Sequence, residues 1–544
     1  MAIQVPSFNS RRSPIYSRYG MVGASQPLAA AAGVKVLEQG GNAADAAVAT
    51  AAALNVTEPG STGLGGDCFA LFYDARTQQV SALNGSGRAP EALTLEKIHQ
   101  AGFQDHLPAH HPFAITVPGT CAGWCDMVEK FGRLPVAQVV APAIRLAEEG
   151  FPASPLTALS WQETAEELLS KSPNGRELTI DGRGPRPGEI FRNPGLGRAM
   201  RLIAEGGKKA FYEGPVAEAI VAVIKETGGC MELSDLAAHF STWDEALSVT
   251  YRGIRIWECP PNGQGMTALM ALNLLEGFDL AALPRLSVLR LHLEIEAMRL
   301  AFADTRQYVA DPAFSKVPVQ GMLDKDYAAR RRKLIDPRRA NLHLQHGVPA
   351  GASDTVYLSA VDGEGNACSF INSNYMNFGS SIVPKGWGFI LQNRGLNFSL
   401  DPHSPNVVAA GKRPYHTIIP AMATYADSGS LYASFGVMGG FMQPQGHTQV
   451  TIALLDDELD PQSALDLPRF CIDAETLRGP TALEEGIPVS VMAALADMGH
   501  AVRPVSGWGR SLFGRGQVIR RDPASGVLCG GSDPRSDGCV IPLG

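Results

Sequence analysis

SDTVYLSAVDGEGNACSFINSNYMNFG, residues 353–379, reads as two strands around a tight turn. TVYLSAV is rich in β-branched and aromatic residues, and Asp362-Gly363-Glu364-Gly365-Asn366 is turn chemistry. CSFINSNY then resumes the strand pattern. Taken alone this is a β-hairpin, and Thr355 within it is an ordinary strand threonine.

Working outward, 544 residues exceed one hydrophobic core of usual size, so more than one lobe is expected. The 58 glycines and 38 prolines point to a turn-rich α/β enzyme rather than a helical bundle or a repeat array. Net charge is −8, and no basic stripe with interleaved aromatics is present, which argues against nucleic acid as a partner. The one basic run, Arg330-Arg331-Arg332-Lys333, reads as a solvated helix face. Nine scattered cysteines with no CxxC pair fit reduced thiols in a reducing compartment. No window reaches the about 18 apolar residues of a membrane span, and the first 20 residues lack a signal-peptide core; both favour the cytoplasm. His106, His110 and His111 have no acidic partner at ligand spacing, so no metal is expected.

Along the chain, Pro27 opens an alanine-rich helix that Gly40-Gly41 stops, and Asn42 caps a second, AADAAVATAAALNV. Gly63, Gly65 and Gly66 precede the strand CFALFYD; with no P-loop lysine they suit tight backbone packing better than a phosphate cradle. Residues 337–353 form a polar approach to Thr355, residues 382–402 read as a continuation of the sheet that then passes into a loop, and RPYHTIIPAMATY (413–425) looks strand-like. Gly439-Gly440 stands before an apolar helix.

These segments in order — GGNAADAAVA, NVTEPGSTGLGGDCFALFYD, TVPGTCAGWCDM, DTVYLSAVDGEGNA, GVMGG and GGSDPR — resemble the gamma-glutamyltranspeptidase family of N-terminal-nucleophile hydrolases. The resemblance runs from Gly23 to about Arg535 and implies a four-layer αββα sandwich flanked by helical regions. It also implies that the chain cuts itself between Asp354 and Thr355. The products are a large piece, 1–354, and a small one, 355–544, which together form one catalytic unit. A hydroxyl needs an adjacent base, and a free α-amine with a pKa of about 7.7–8 can serve, whereas an amide nitrogen cannot. The uncut chain is therefore expected to be a zymogen.

The same resemblance assigns further roles. Ser373, eighteen residues on, tunes the nucleophile, and the Gly439 and Gly440 backbone stabilises the oxyanion. Tyr375 takes the place of a substrate-contacting asparagine. Glutathione-acting members grip the substrate α-carboxylate with an arginine four residues before a proline; Ser86 holds that slot here, and Arg88 is displaced by two, either to bind a carboxylate from the shifted position or to stand as a surface arginine. The glutamine and aspartate that clamp a γ-glutamyl group become Arg394 and Asn397, and the paired serines before Gly-Gly become His416 and Thr417. The site has exchanged an anion for a cation, which suits a carboxylate without a neighbouring ammonium. This pattern resembles the branch containing oxamate amidohydrolase and glutathione-hydrolase-like proteins. The expected activity is hydrolysis of a small anionic amide, oxamate to oxalate plus ammonia, without cofactor or metal and with both pieces associated. The sequence leaves two alternatives open, a γ-glutamyl hydrolase or transferase and a non-catalytic binding scaffold, and it leaves the oligomeric state undetermined.

Overall fold

The computed structural model describes residues 12–342, 354–472 and 479–544. Most of the approach to Thr355, residues 343–353, lies outside them. Two seven-stranded sheets, each wholly antiparallel, stack face to face. The first runs in the order Ile15–Ser17, Leu528–Ser532, Arg515–Arg521, Leu431–Met438, Ala421–Tyr425, Ile254–Glu258, Leu247–Tyr251. The second runs Cys539–Pro542, Gly20–Ala24, Asp354–Asp362, Ala367–Tyr375, Asp67–Asp74, Gln79–Gly85, Thr242–Glu245. Both sheets take strands from each side of residue 354, so the two halves of the chain interleave hydrogen bond by hydrogen bond.

Helices close both outer faces. Pro27–Glu38 and Ala43–Thr57 cover the second sheet, and Gly265–Leu275 and Met442–Leu455 cover the first, giving the four layers αββα. Asn42 caps its helix as the sequence suggests, in a reciprocal box with Asp45. Alanine on every inward turn lets that helix lie close: all fifteen residues are buried, and a Cβ at Gly33 of the neighbouring helix would stand 2.2 Å from Thr50 Oγ1. The helix is tied to the central hairpin through Asp362. Its carboxylate accepts from Glu364 N and Asn366 N in the turn and from Ala43 N at the helix start. The turn chemistry of the sequence thus sets both the hairpin register and the seat of the helix above it.

Between the sheets, Tyr357 lies flat against Gly436, where any side chain would strike its ring, and Ser359 Oγ donates to Ser434 Oγ at 2.7 Å. These contacts hold the hairpin against Leu431–Met438, the strand that leads directly into Gly439-Gly440. Some expectations are corrected. Residues 384–399 leave the sheet and run as loop and one short 3₁₀ turn, Arg394–Asn397, because glycines and Pro384 interrupt the strand pattern. In 413–425 only Ala421–Tyr425 is strand. Of the basic run, Arg331 pairs with Asp304 and Arg332 donates to two helix-end carbonyls, so that face is half inward.

Candidate active site

Thr355 sits at an irregularity of the central ladder. Asp354 pairs with Tyr375 but Val356 pairs with Asn372, so Ser373 and Asn374 together face Thr355. The bulge turns Ser373 towards the threonine, and the two hydroxyls stand 3.1 Å apart, both fully buried. Tyr375, next along, takes φ +78°, a conformation that costs a non-glycine residue and collects at functional sites. Its amide N–H folds back onto Ser373 Oγ at 2.8 Å, and its hydroxyl donates to Asn397 Oδ1 at 2.8 Å.

Arg394 enters from the 3₁₀ turn and is wholly buried. Nη1 donates to Thr417 Oγ1 at 2.7 Å, Nη2 to Ser373 Oγ at 3.1 Å, and the guanidinium lies 4.4 Å above the Tyr375 ring. Burial lowers its pKa to about 10, leaving it a cation. Behind it stands Asp67, first residue of its strand, with Oδ2 4.0 Å from Arg394 Nε. Oδ1 accepts from Gly87 N and Gln392 Nε2, each at 2.9 Å. His416 completes the group. Its Nδ1 accepts from Ile418 N, so Nε2 carries the proton and donates to Asp67 Oδ2 at 3.0 Å. Burial, with Arg394 and Arg413 nearby, holds His416 neutral, and burial raises Asp67 to about 6 against the pull of Arg394.

The residues expected at Thr355 thus fall into one cluster with Ser373, Tyr375, Arg394, Asn397, His416 and Thr417. Gly439 and Gly440 close the strand behind it, at the start of helix Met442–Leu455. The Gly439 carbonyl accepts from Met442 N at 2.9 Å, and the Gly440 carbonyl from Gln443 N and Gln264 Nε2. In a planar trans peptide the N–H of the following residue points opposite the carbonyl, so the tied Gly439 carbonyl fixes the Gly440 N–H on the opposite side.

Arg88 is placed elsewhere. Its guanidinium stacks 4.1 Å over Phe240 and donates to the Phe240 carbonyl. The Ser86 slot is instead approached by buried Arg413, whose Nε donates to Ser86 O at 3.2 Å. The sequence reading missed Asp67, Gln264, Gln392 and Arg413. Asp67 ends the GLGGD run, in which the glycines are the plainer signal. Those do pack backbone on backbone: a Cβ at Gly65 would meet Ile390 O at 2.1 Å, and one at Gly66 would meet Ser373 O at 2.3 Å. Among the described residues no group of three His, Cys, Asp or Glu could hold a metal ion. Nor is any helix among them long and apolar enough to cross a membrane.

Residues 29–543 match the model of the gamma-glutamyltranspeptidase family. The chain is 37% identical over 528 residues to the glutathione hydrolase-like YwrD proenzyme of Bacillus subtilis, covering 96% of this chain and 98% of that one. It is 33% identical to the oxamate amidohydrolase proenzyme of Klebsiella pneumoniae, covering 96% and 98%. The solved structure of a cephalosporin acylase from Bacillus halodurans superposes with a TM-score of 0.91 at 43% identity, covering 99% of each chain. Fold, site geometry and sequence agree: the chain belongs to the gamma-glutamyltranspeptidase family and is a hydrolase of amide bonds.

Proposed function

We propose that the chain is a self-cleaving N-terminal-threonine amidohydrolase acting on amides whose acyl group carries a carboxylate but no adjacent ammonium, with oxamate the smallest such substrate. The proenzyme names of its relatives support self-cleavage. Thr355 Oγ1 attacks the Asp354 carbonyl carbon, and the peptide nitrogen leaves with a proton as the α-amine of Thr355. Water then hydrolyses the resulting ester, releasing piece 1–354. In turnover the free amine accepts the Thr355 hydroxyl proton as Oγ1 attacks the substrate carbonyl. The proton passes to the leaving amine, and water hydrolyses the acyl-enzyme. For oxamate the products are oxalate and ammonia. The Gly439 and Gly440 amides are proposed to take the oxyanion charge of both tetrahedral steps, and the interleaved strands to keep the two pieces together.

The observation that carries the substrate reading is the character of the clamp. At the position expected to neutralise a substrate ammonium, Asn397 offers Nδ2, a buried donor with no hydrogen-bond partner among the described residues. Beside it the cation Arg394 lies on the Tyr375 ring. Donors and a cation accept a carboxylate and repel an ammonium. The likeness to a cephalosporin acylase supports a second form of the same reading, in which the acyl group is longer.

The test compares γ-glutamyl para-nitroanilide with glutaryl para-nitroanilide, which differs only by the α-amino group, alongside ammonia release from oxamate. The glutaryl compound or oxamate is expected to have the higher kcat/KM. Preference for the γ-glutamyl compound over both would overturn the substrate reading. Thr355→Ala is expected to remain one 544-residue polypeptide without activity; two bands on a denaturing gel would remove Thr355 from its role.

A further inference from the structure

Gly439, at φ +129°, and Gly440, at φ +57°, make the turn proposed to bind the oxyanion. Glycine rotates more freely than any other residue, so a preorganised turn built from two of them needs a lock from outside. Two bonds come from the helix that follows: Met442 N donates to the Gly439 carbonyl and Gln443 N to the Gly440 carbonyl. They tie the turn to its own helix, not to the rest of the site.

Gln264 supplies a bond from another part of the chain. Its Nε2 donates to the Gly440 carbonyl at 2.9 Å, across 176 residues. The same nitrogen donates to the Thr417 carbonyl at 2.6 Å. Carbonyls only accept, so the nitrogen of the amide lies against them, and the Tyr415 hydroxyl donates to its oxygen, Oε1, at 3.2 Å. The main chain is held as well. Gln264 N donates to the His416 carbonyl at 3.0 Å, and helix Gly265–Leu275 begins at the next residue. The whole side chain is buried.

Thr417 matters because its hydroxyl receives Arg394 Nη1 at 2.7 Å. One side-chain amide therefore joins the residue that seats the Arg394 guanidinium to the turn that carries the oxyanion donors. We propose that Gln264 is a positioning residue: it fixes the separation between Arg394 and Gly439-Gly440 and so selects the length of the acyl group. An acyl group of the right length brings its carboxylate to Arg394 while its amide carbonyl lies at the turn. One methylene more or fewer puts one end out of place. The inference rests on Arg394 being the carboxylate partner and Gly439-Gly440 the oxyanion turn, and it narrows that reading to acyl groups of one length.

The experiment measures ammonia release from oxamate, malonamate, succinamate and glutaramate, which differ by one methylene each. The enzymes are cut wild type, Gln264→Met, Tyr415→Phe, Arg394→Gln and the Gln264→Met, Arg394→Gln double variant. Wild type is expected to favour one member over its neighbours on the order of tenfold or more in kcat/KM, the discrimination one methylene gives. Gln264→Met keeps much of the volume and loses both donated bonds. It should lower kcat for the favoured member on the order of 10²-fold, as a misplaced reacting group does, and cut that member's advantage to below about threefold. Tyr415→Phe, which frees the amide to turn, should move both quantities the same way by less. In the Arg394→Gln background the length preference is already lost, and Gln264→Met should not alter it. A Gln264→Met enzyme that loses activity on all four by one factor, with its preference intact, would overturn the proposal, as would one with the wild-type kcat. So would a wild type that turns over all four alike. If Gln264→Met fails to fold, Tyr415→Phe decides, and an unchanged length preference there refutes the proposal. Failure of the underlying substrate reading shows earlier, in a wild type that releases ammonia from none of the four.

Discussion

Gly439→Ala tests the backbone proposed to take the oxyanion charge. Gly439 has φ +129°, a region that L side chains rarely enter, and holding alanine there costs about 1–3 kcal/mol. The added Cβ would also stand 3.2 Å from Gly514 Cα and 3.4 Å from Met442 Cβ. The chain's relief is to rotate the 439–440 peptide, which gives up the 2.9 Å bond from Met442 N to the Gly439 carbonyl and swings the Gly440 N–H off its line. Loss of one oxyanion donor costs about 2.7–4 kcal/mol, or 10²–10³ in kcat. The strain itself is a minor part of the about 5–15 kcal/mol that folds a domain, so the variant should be made and folded. Gly228, at φ +88° with nothing within 4 Å of a Cβ, is the matched control: Gly228→Ala carries similar backbone strain far from the site. The assay is kcat of the cut enzyme, with melting temperature alongside and a denaturing gel for slowed self-cleavage. A Gly439→Ala enzyme that melts lower yet turns over at the wild-type rate would refute the oxyanion assignment.

Two further outcomes are expected. Arg88→Ala should leave KM for oxamate or the glutaryl anilide within about twofold of wild type, because Arg88 is spent on Phe240 rather than on the cluster at Thr355; a tenfold or greater rise would restore it to the substrate site. Glu296, buried in helix Val288–Tyr308, accepts from Asn341 N and has its pKa raised to about 7 by burial. A raised carboxyl pKa means the native state holds a proton that the unfolded chain gives up. Its stabilisation is therefore full below the unfolded value of 4.5 and is lost as pH rises towards 7. Glu296→Gln should flatten the fall in unfolding free energy between pH 5 and about 7, by at most about 1.4 kcal/mol per pH unit; buried Glu294, also raised to about 7, leaves part of the slope in place. An unchanged slope would place the titration elsewhere.

How much of this was readable in the chain differs by residue. The hairpin, its Asp362 turn, the Asn42 cap and the Gly-Gly before a helix are local devices, and each is written within a few residues of where it acts. Thr355, Ser373 and Tyr375 lie on one hairpin, so their spacing carried over. Arg88 did not, because a shift of two residues in a loop turned its side chain onto Phe240, and nothing local announces that. Arg413, at the Ser86 slot, comes from 327 residues further along the chain, and Asp67 and Arg394 are likewise joined by tertiary packing alone. Residues 384–399 misled for another reason: the apolar run Phe389-Ile390-Leu391 packs a loop over Gly65 rather than joining a ladder.

The buried Asp67 changes how the altered clamp should be understood. Compared slot by slot, the site gains Arg394 and loses a carboxylate, which suggests surplus positive charge. In the folded chain Arg394 faces Asp67, and near neutral pH Asp67 is largely ionised, so the two nearly balance. What distinguishes the site is then acceptor supply rather than net charge. Gly87, Gln392 and His416 already donate to the fully buried Asp67 oxygens, and Arg394 is their charge partner at 4.0 Å, so Asp67 is engaged before any ammonium arrives. Asn397 spends its acceptor on the Tyr375 hydroxyl and presents Nδ2 instead. An incoming α-ammonium would lose its water and find donors, a penalty of several kcal/mol, whereas a carboxylate meets hydrogens already in place. On this argument Arg394→Gln alone would not restore γ-glutamyl preference, because the missing element is a carboxylate with free lone pairs. Asn397→Asp, which supplies one beside the Tyr375 hydroxyl, is the change that should.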